Sequence, residues 1–137
     1  MIKRVFGLLF IACLMVSCQN VDRKVRLASA FVEELKRGTE NAILIKEYMN
    51  ISDPSAEPLA FLNYRLNGFR EKIRTMDTIR VFSYNGHKIE SLIITEGERE
   101  NVIFVSGKNQ VFPILVKGNK IVAFSTINKG GKKVFLL

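Results

Sequence analysis

The chain has 137 residues, 47% of them hydrophobic, and a net charge of +8 from 21 Lys and Arg against 13 Asp and Glu. That length fits one domain, and two cysteines with one histidine exclude both a disulfide framework and the roughly four Cys or His ligands of a structural zinc site. The basic excess suits partners of negative charge, among them lipid headgroups and envelope polymers.

Lys3 and Arg4 precede an uncharged apolar run from Val5 to Val16. A positive start followed by such a run is the pattern of a secretory signal. As a helix the run spans about 18 Å, short of the roughly 30 Å hydrocarbon core, so a retained transmembrane span is not expected. The next stretch, Leu14-Met15-Val16-Ser17-Cys18-Gln19-Asn20, resembles the lipobox of a bacterial lipoprotein signal peptide. Val16 and Ser17 fit that pattern, while Met15 stands where leucine is commoner. Cys13 fits less well, since Phe10 and Ile11 precede it and the apolar run would be cut short. The resemblance implies a signal peptide at 1–17, cleavage before Cys18 and lipidation of Cys18 by palmitate-like chains. With Gln19 rather than Asp next, it also implies the periplasmic face of the outer membrane of a Gram-negative bacterium. The plain alternative is an ordinary secretory signal with an incidental cysteine. Acylation accounts for a thiol that would otherwise be a lone reactive group, because no cysteine follows Cys18.

Removing the first 17 residues takes away two of the 21 basic residues and none of the 13 acidic ones, leaving a single domain, 18–137, at +6. Nucleic acid is not an expected partner of an exported lipoprotein. The expected one is membrane lipid through acylated Cys18, with Arg23, Lys24 and Arg26 as membrane-proximal basic residues, or else as ordinary solvated charges.

Asn20 or Asp22 offers an N-cap for a first helix with Val21, Val25, Ala28, Val32 and Leu35 at helical spacing and Phe31 widening the stripe. Gly38 ends it after Lys36 and Arg37, which suit a helix C-terminus. Thr39 is a candidate cap for a second helix, Glu40 to Met49, burying Leu44, Ile45 and Tyr48. The stretch 50–55 is turn chemistry. A third helix from Ala56 carries Leu59, Leu62, Leu66, Phe69 and Ile73 on one stripe, with Pro58 tolerated in its first turn.

From Asp77 the period changes to two. Strands are expected over 78–84 and 87–95 around the hairpin signal Asn85-Gly86, then over 101–106, 110–117 and 120–126, the last two joined at Gly118-Asn119. Lys129 to Lys132 turns into a final strand, 133–137. Helices first and an antiparallel meander after them give an α+β class, with helices on one face of a curved sheet. The strand pairs Val102 and Phe104 against Ile103 and Val105 are apolar on both faces, so the second face needs covering by curling, a partner or a ligand. Pro113 lacks a ladder donor and predicts an edge or a bulge.

The opening Ala30-Phe31-Val32-Glu33-Glu34-Leu35-Lys36-Arg37-Gly38, with the short helix ending at Tyr48-Met49, is similar to that of NTF2-like, cystatin-related domains. That resemblance implies a bent sheet wrapped around a long helix as a cone, a pocket, and dimerisation through the outer sheet face. The short strand usual between the second and third helices is reduced here to Asn50-Ile51.

For chemistry in such a cone the candidates are Tyr48, Tyr64, Asp77, Tyr84 and His87, and none of them forms an acid–base pair in sequence. His87 follows Asn85-Gly86 and is expected at a hairpin tip. Ser106-Gly107-Lys108-Asn109 resembles a P-loop fragment without the upstream glycine, the Ser/Thr or the helix. Lys129-Gly130-Gly131-Lys132-Lys133 reads as an anion-binding turn or, more simply, a solvated hairpin tip. No catalytic residue, metal site or cofactor is assigned. The expected protein is a non-enzymatic, membrane-anchored periplasmic lipoprotein binding a small ligand or an envelope partner through the bent sheet, with a homodimer as one form of partner. An enzyme acting on a small apolar substrate in the cone is the alternative, and a structural or assembly lipoprotein the third.

Overall fold

The computed structural model describes residues 2–49, 51, 56–84, 92 and 96–135, and the side chains of 20–49, 51, 58–84, 92 and 97–135 among them. The protein is α+β. Three helices, α1 (Ile2–Arg37), α2 (Asn41–Tyr48) and α3 (Ala56–Arg74), precede β1 (Arg80–Ser83). A 3-10 turn, Glu96–Asn101, then leads into β2 (Val102–Ser106), β3 (Val111–Lys117), β4 (Lys120–Ala123), β5 (Thr126–Lys129) and β6 (Lys132–Phe135). Among the described residues no helix is long and apolar enough to cross a membrane.

The expected cap at Asn20 or Asp22 is absent, because α1 runs through both from Ile2. Nothing in 2–37 forces a start there: the chain has no proline in that stretch, and continuing a helix adds a backbone bond per residue where a new start must nucleate. The C-terminal end is where glycine places it, with Gly38 at φ 91° and the Thr39 amide bonded back to the Glu34 carbonyl at 3.1 Å. Thr39 does not cap α2. Its hydroxyl instead donates to the Glu34 carboxylate, and the cap position falls to Glu40, which makes no side-chain cap bond.

The main core lies between the helices and the sheet. Ala28, Phe31, Val32 and Leu35 of α1 and Leu44 of α2 meet Leu66, Phe69 and Ile73 of α3 over Ile103, Val105, Ile114 and Val116. Val25, Leu59 and Leu62 extend the expected stripes but are only partly buried. Phe31 is the hub, 6.4 Å from Phe69, 6.1 Å from Phe124 and 5.6 Å from Tyr48 between ring centres, spacings at which aromatic pairs add to the area they bury. Arg70 is the buried charge among these apolar side chains. Its guanidinium donates to the carbonyls of Leu35 (2.8 Å) and Thr39 (2.5 Å) and to Asn41 Oδ1 (2.9 Å). A cation thus sits at the carbonyls that end α1, where the Leu35 oxygen also accepts from the Gly38 amide at 3.3 Å, and ties all three helices together.

Four strands form one antiparallel sheet in the order β1-β2-β3-β4, and β5 and β6 form a second sheet of their own. β1 pairs with β2, Phe82 opposite Phe104; the expected hairpin over 85–95 lies outside the described residues apart from Leu92, which bridges to Lys133. The turns follow their glycines. Gly118 alone is left-handed at β3–β4, as a II′ turn requires, and Gly130 and Gly131 both are at β5–β6, as I′ requires.

The second sheet face is covered by the chain itself. Val102, Phe104, Leu115 and Ala123 are buried there, with Phe82, Tyr84, Leu92 and Phe135 of β6 packed on them. The sequence expects one strand over 120–126, but two short ones form. Leu115 opposes Ala123 while Val116 opposes Ile121, so Val122 is an extra, bulged residue, and it is exposed. A bulge bends its strand and increases its twist. The chain leaves β3 after Ala123, and among the described residues β5 pairs only with β6.

Candidate functional site

That departure opens a groove. β4 pairs with β3 only over Leu115–Lys117, so among the described residues Val111 to Pro113 have β2 beside them and no strand on the other side. Pro113, opposite Phe104 in a strand that is interior by sheet order, therefore sits where β3 is locally an edge, and the register irregularity lies just beyond it. Without an N–H it cannot donate across the gap. α3 roofs this unpaired half of β3. The resulting open groove holds about 590 Å³, between α3, the start of β3, the link Phe124-Ser125 and the β5–β6 hairpin, within the range of small-molecule sites.

Its floor is aromatic. Phe69 and Phe124 are nearly fully buried, their ring centres 5.5 Å apart, and Phe69 meets Phe112 edge-on at 6.0 Å. On this floor lie cations. The Arg65 guanidinium stands 5.1 Å from the Phe124 ring centre and 5.6 Å from that of Phe61, and its Nε donates to Ser125 Oγ at 2.8 Å. Burial pulls the Arg65 pKa below its ordinary value, yet a guanidinium stays charged at any physiological pH. Lys72 Nζ lies 5.3 Å above the Phe112 ring. Such placements over ring faces are attractive in themselves. Lys133 adds a third positive side chain from β6. Glu71, the acidic residue of the lining, pairs with Arg74 at 3.3 Å. Tyr64, 76% exposed, and Phe61, 53% exposed, stand at the α3 side as large unburied rings.

Gly68 occupies the middle of the α3 wall. It lines the groove, and a Cβ built on it meets nothing within 4 Å. Glycine inside a helix costs about 0.5–1 kcal/mol relative to alanine, and no packing neighbour demands it here.

The sequence candidates scatter. The Cys18 side chain and His87 lie outside the described residues. Arg23 and Arg26 are exposed on α1, whereas Lys24 turns to the domain, its Nζ 2.6 Å from Asn101 Oδ1 and 3.4 Å from the Glu100 carbonyl. Tyr48 packs in the main core beside Phe31, and burial, then the Glu34 carboxylate, push its phenol pKa up. Tyr84 lies against Phe104 on the opposite sheet face, with Arg99 over its ring. Asp77 is exposed beside the turn at Lys108 and Asn109. Of the four chemical candidates among the described residues, only Tyr64 reaches the groove. Among the described residues no group of His, Cys, Asp and Glu is arranged to hold a metal ion.

Lys133, the last residue of the candidate anion-binding turn Lys129-Gly130-Gly131-Lys132-Lys133, lines the groove, whereas the sequence does not single out Arg65, Gly68 and Lys72. Two signals pointed their way: cations flanking the apolar stripe of α3, and a glycine with no turn to make inside the clearest helix of the chain. The chain matches no protein-family model, no curated protein and no solved structure.

Proposed function

We propose that this is a membrane-tethered binding lipoprotein of the cell envelope, acylated at Cys18, that holds a small ligand in the groove between α3 and the unpaired half of β3 without changing it chemically. The tether rests on the signal-like start and the stretch Leu14 to Cys18. The observation that carries the binding role is the groove itself: an open cavity of ligand size with cations held over an aromatic floor. Catalysis is the weaker reading, since Tyr48, Tyr84 and Asp77 stand in separate parts of the fold. A long helix lying across a bulged antiparallel sheet supports the resemblance to NTF2-like, cystatin-related domains.

Native mass spectrometry of the detergent-extracted protein tests both halves. The expected spectrum carries acyl mass on a chain beginning at Cys18 and a non-covalent adduct that disappears in Gly68→Trp, whose side chain would fill the groove. An unacylated chain removes the tether. An adduct that survives Gly68→Trp, or no adduct at all, removes the groove.

A further inference from the structure

The groove points to its ligand's chemistry. Resting on the reading of the groove as a binding site, we infer that it takes a small aromatic anion: a flat apolar ring system bearing one compact carboxylate, sulfonate or phosphate.

Charge gives the first half. Arg65, Lys72 and Lys133 face the cavity against Glu71, whose carboxylate is turned to Arg74. The Lys72 ammonium has no hydrogen-bond or carboxylate partner among the described residues, and it stands over the Phe112 ring. Lys72 is exposed, so its ammonium is open to an anion entering the groove, and the attraction is that of a partly screened pair. Arg65 is held in place before any ligand arrives, flanked by Phe61 and Phe124 and bonded to Ser125, so less side-chain entropy is lost on binding.

Shape gives the second half. The groove is open along one side, so a flexible acyl chain laid in it would leave much of its surface in water. A rigid ring can lie over Gly68 between Tyr64 and Lys72, its face toward the exposed Tyr64 ring and its anionic group on the Lys72 ammonium. Gly68 leaves the α3 wall without a side chain between those residues, at a helix position where alanine would be the better former and would meet no neighbour. Bare anions are poorly served here, because the lining offers more apolar than polar surface to them.

The acylated protein in nanodiscs of neutral phosphatidylcholine provides the test, with empty nanodiscs as blank. The chain contains no tryptophan but Gly68→Trp does, so binding of naphthalene probes is read by equilibrium dialysis, from probe absorbance in the protein-free chamber. Naphthalene-2-sulfonate is expected to bind about tenfold more tightly than the neutral naphthalene-2-sulfonamide. Lys72→Gln should weaken the sulfonate about fivefold and leave the sulfonamide unchanged, as loss of one ion pair at a partly screened site would. Lys46→Gln, on the exposed face of α2, should change neither, and Gly68→Trp should abolish both. Equal affinity for the two probes, with Gly68→Trp still blocking them, overturns the anion preference while the groove stands as a site. Tighter binding of octanoate, or of inorganic phosphate, than of naphthalene-2-sulfonate overturns the aromatic class in favour of an acyl or a bare-anion ligand. Probe binding indifferent to Gly68→Trp overturns the groove and this inference together.

Discussion

At Arg70 one side chain substitutes for several capping devices. Its donors satisfy the carbonyls of Leu35 and Thr39, and burial, with Arg74 nearby, lowers its pKa without discharging it. Replacing it with an apolar residue leaves the Leu35 carbonyl only its bond from the Gly38 amide and takes the guanidinium donor away from the part-buried Thr39 carbonyl. Arg70→Met is expected to destabilise the protein by about 2–3 kcal/mol, and Arg70→Lys by less. Chemical denaturation measures both, and equal stability of Arg70→Met and the wild type would show that the carbonyls find other donors. Glu98 makes the second prediction at this scale. The bond from Lys117 Nζ at 2.9 Å, then that from Asn101, hold its carboxyl below the usual carboxylate range. A carboxyl with a depressed folded pKa adds stability above its unfolded value of about 4.3 and loses it as the pH falls through the folded one. Glu98→Gln should therefore shrink the fall in Tm between about pH 5 and about pH 3. An unchanged acid slope would assign that fall to other carboxylates.

Among the elements, α3 serves two structures at once. Its buried stripe, Leu66, Phe69 and Ile73, closes the main core, and the neighbouring stripe of Tyr64, Arg65, Gly68 and Lys72 forms the groove wall. These faces are separable by mutation. Leu66→Ala should cost about 2–5 kcal/mol as a large-to-small change at a fully buried site, read in thermal melts. A shift of under about a degree would mean that α3 is not packed as described, since about 1 kcal/mol moves Tm by several degrees in a domain of this size. Changes at Lys72 should leave the melt where it is and alter only ligand binding. The break between β4 and β5 works at the same scale. One bulged residue, Val122, and a proline on β3 together let the chain leave the main sheet.

For the whole molecule, the tether and the domain act together. Palmitate-analogue labelling should mark the wild type and not Cys18→Ala; equal labelling of the two would remove the anchor, and loss on Cys13→Ala alone would move it. Few residues separate Cys18 from Arg23 and Arg26, both exposed on α1. Each such residue near an anionic leaflet contributes about 1 kcal/mol of attraction. The chain beginning at Gln19 should float with anionic vesicles and not neutral ones, less so at high salt and less so as Arg23→Glu with Arg26→Glu. Flotation indifferent to lipid charge would leave these residues as ordinary solvated surface. Lys24 also straps α1 to the turn before β2 through Asn101.

What the sequence by itself determined was local. The spacing of Phe31, Val32 and Leu35, and of Leu66, Phe69 and Ile73, identifies the buried helix faces because a period of 3.6 is written within a few turns. Gly38, Gly118 and the Gly130-Gly131 pair mark chain reversals because left-handed backbone there excludes most other residues. The apolar runs of β2 and β3 told that both sheet faces are covered, but not that Phe135 and Leu92 do the covering. Tertiary structure alone decided the rest. Where β4 parts from β3 depends on pairing energies between strands and on a one-residue register shift, which periodicity over 120–126 does not contain. The groove follows from that parting, and its cations come from α3 and from β6, far apart along the chain. A cation beside an apolar stripe looks in sequence like any solvated charge; only the fold sets Arg65 over Phe124 and Lys72 over Phe112, and so turns surface charge into a site.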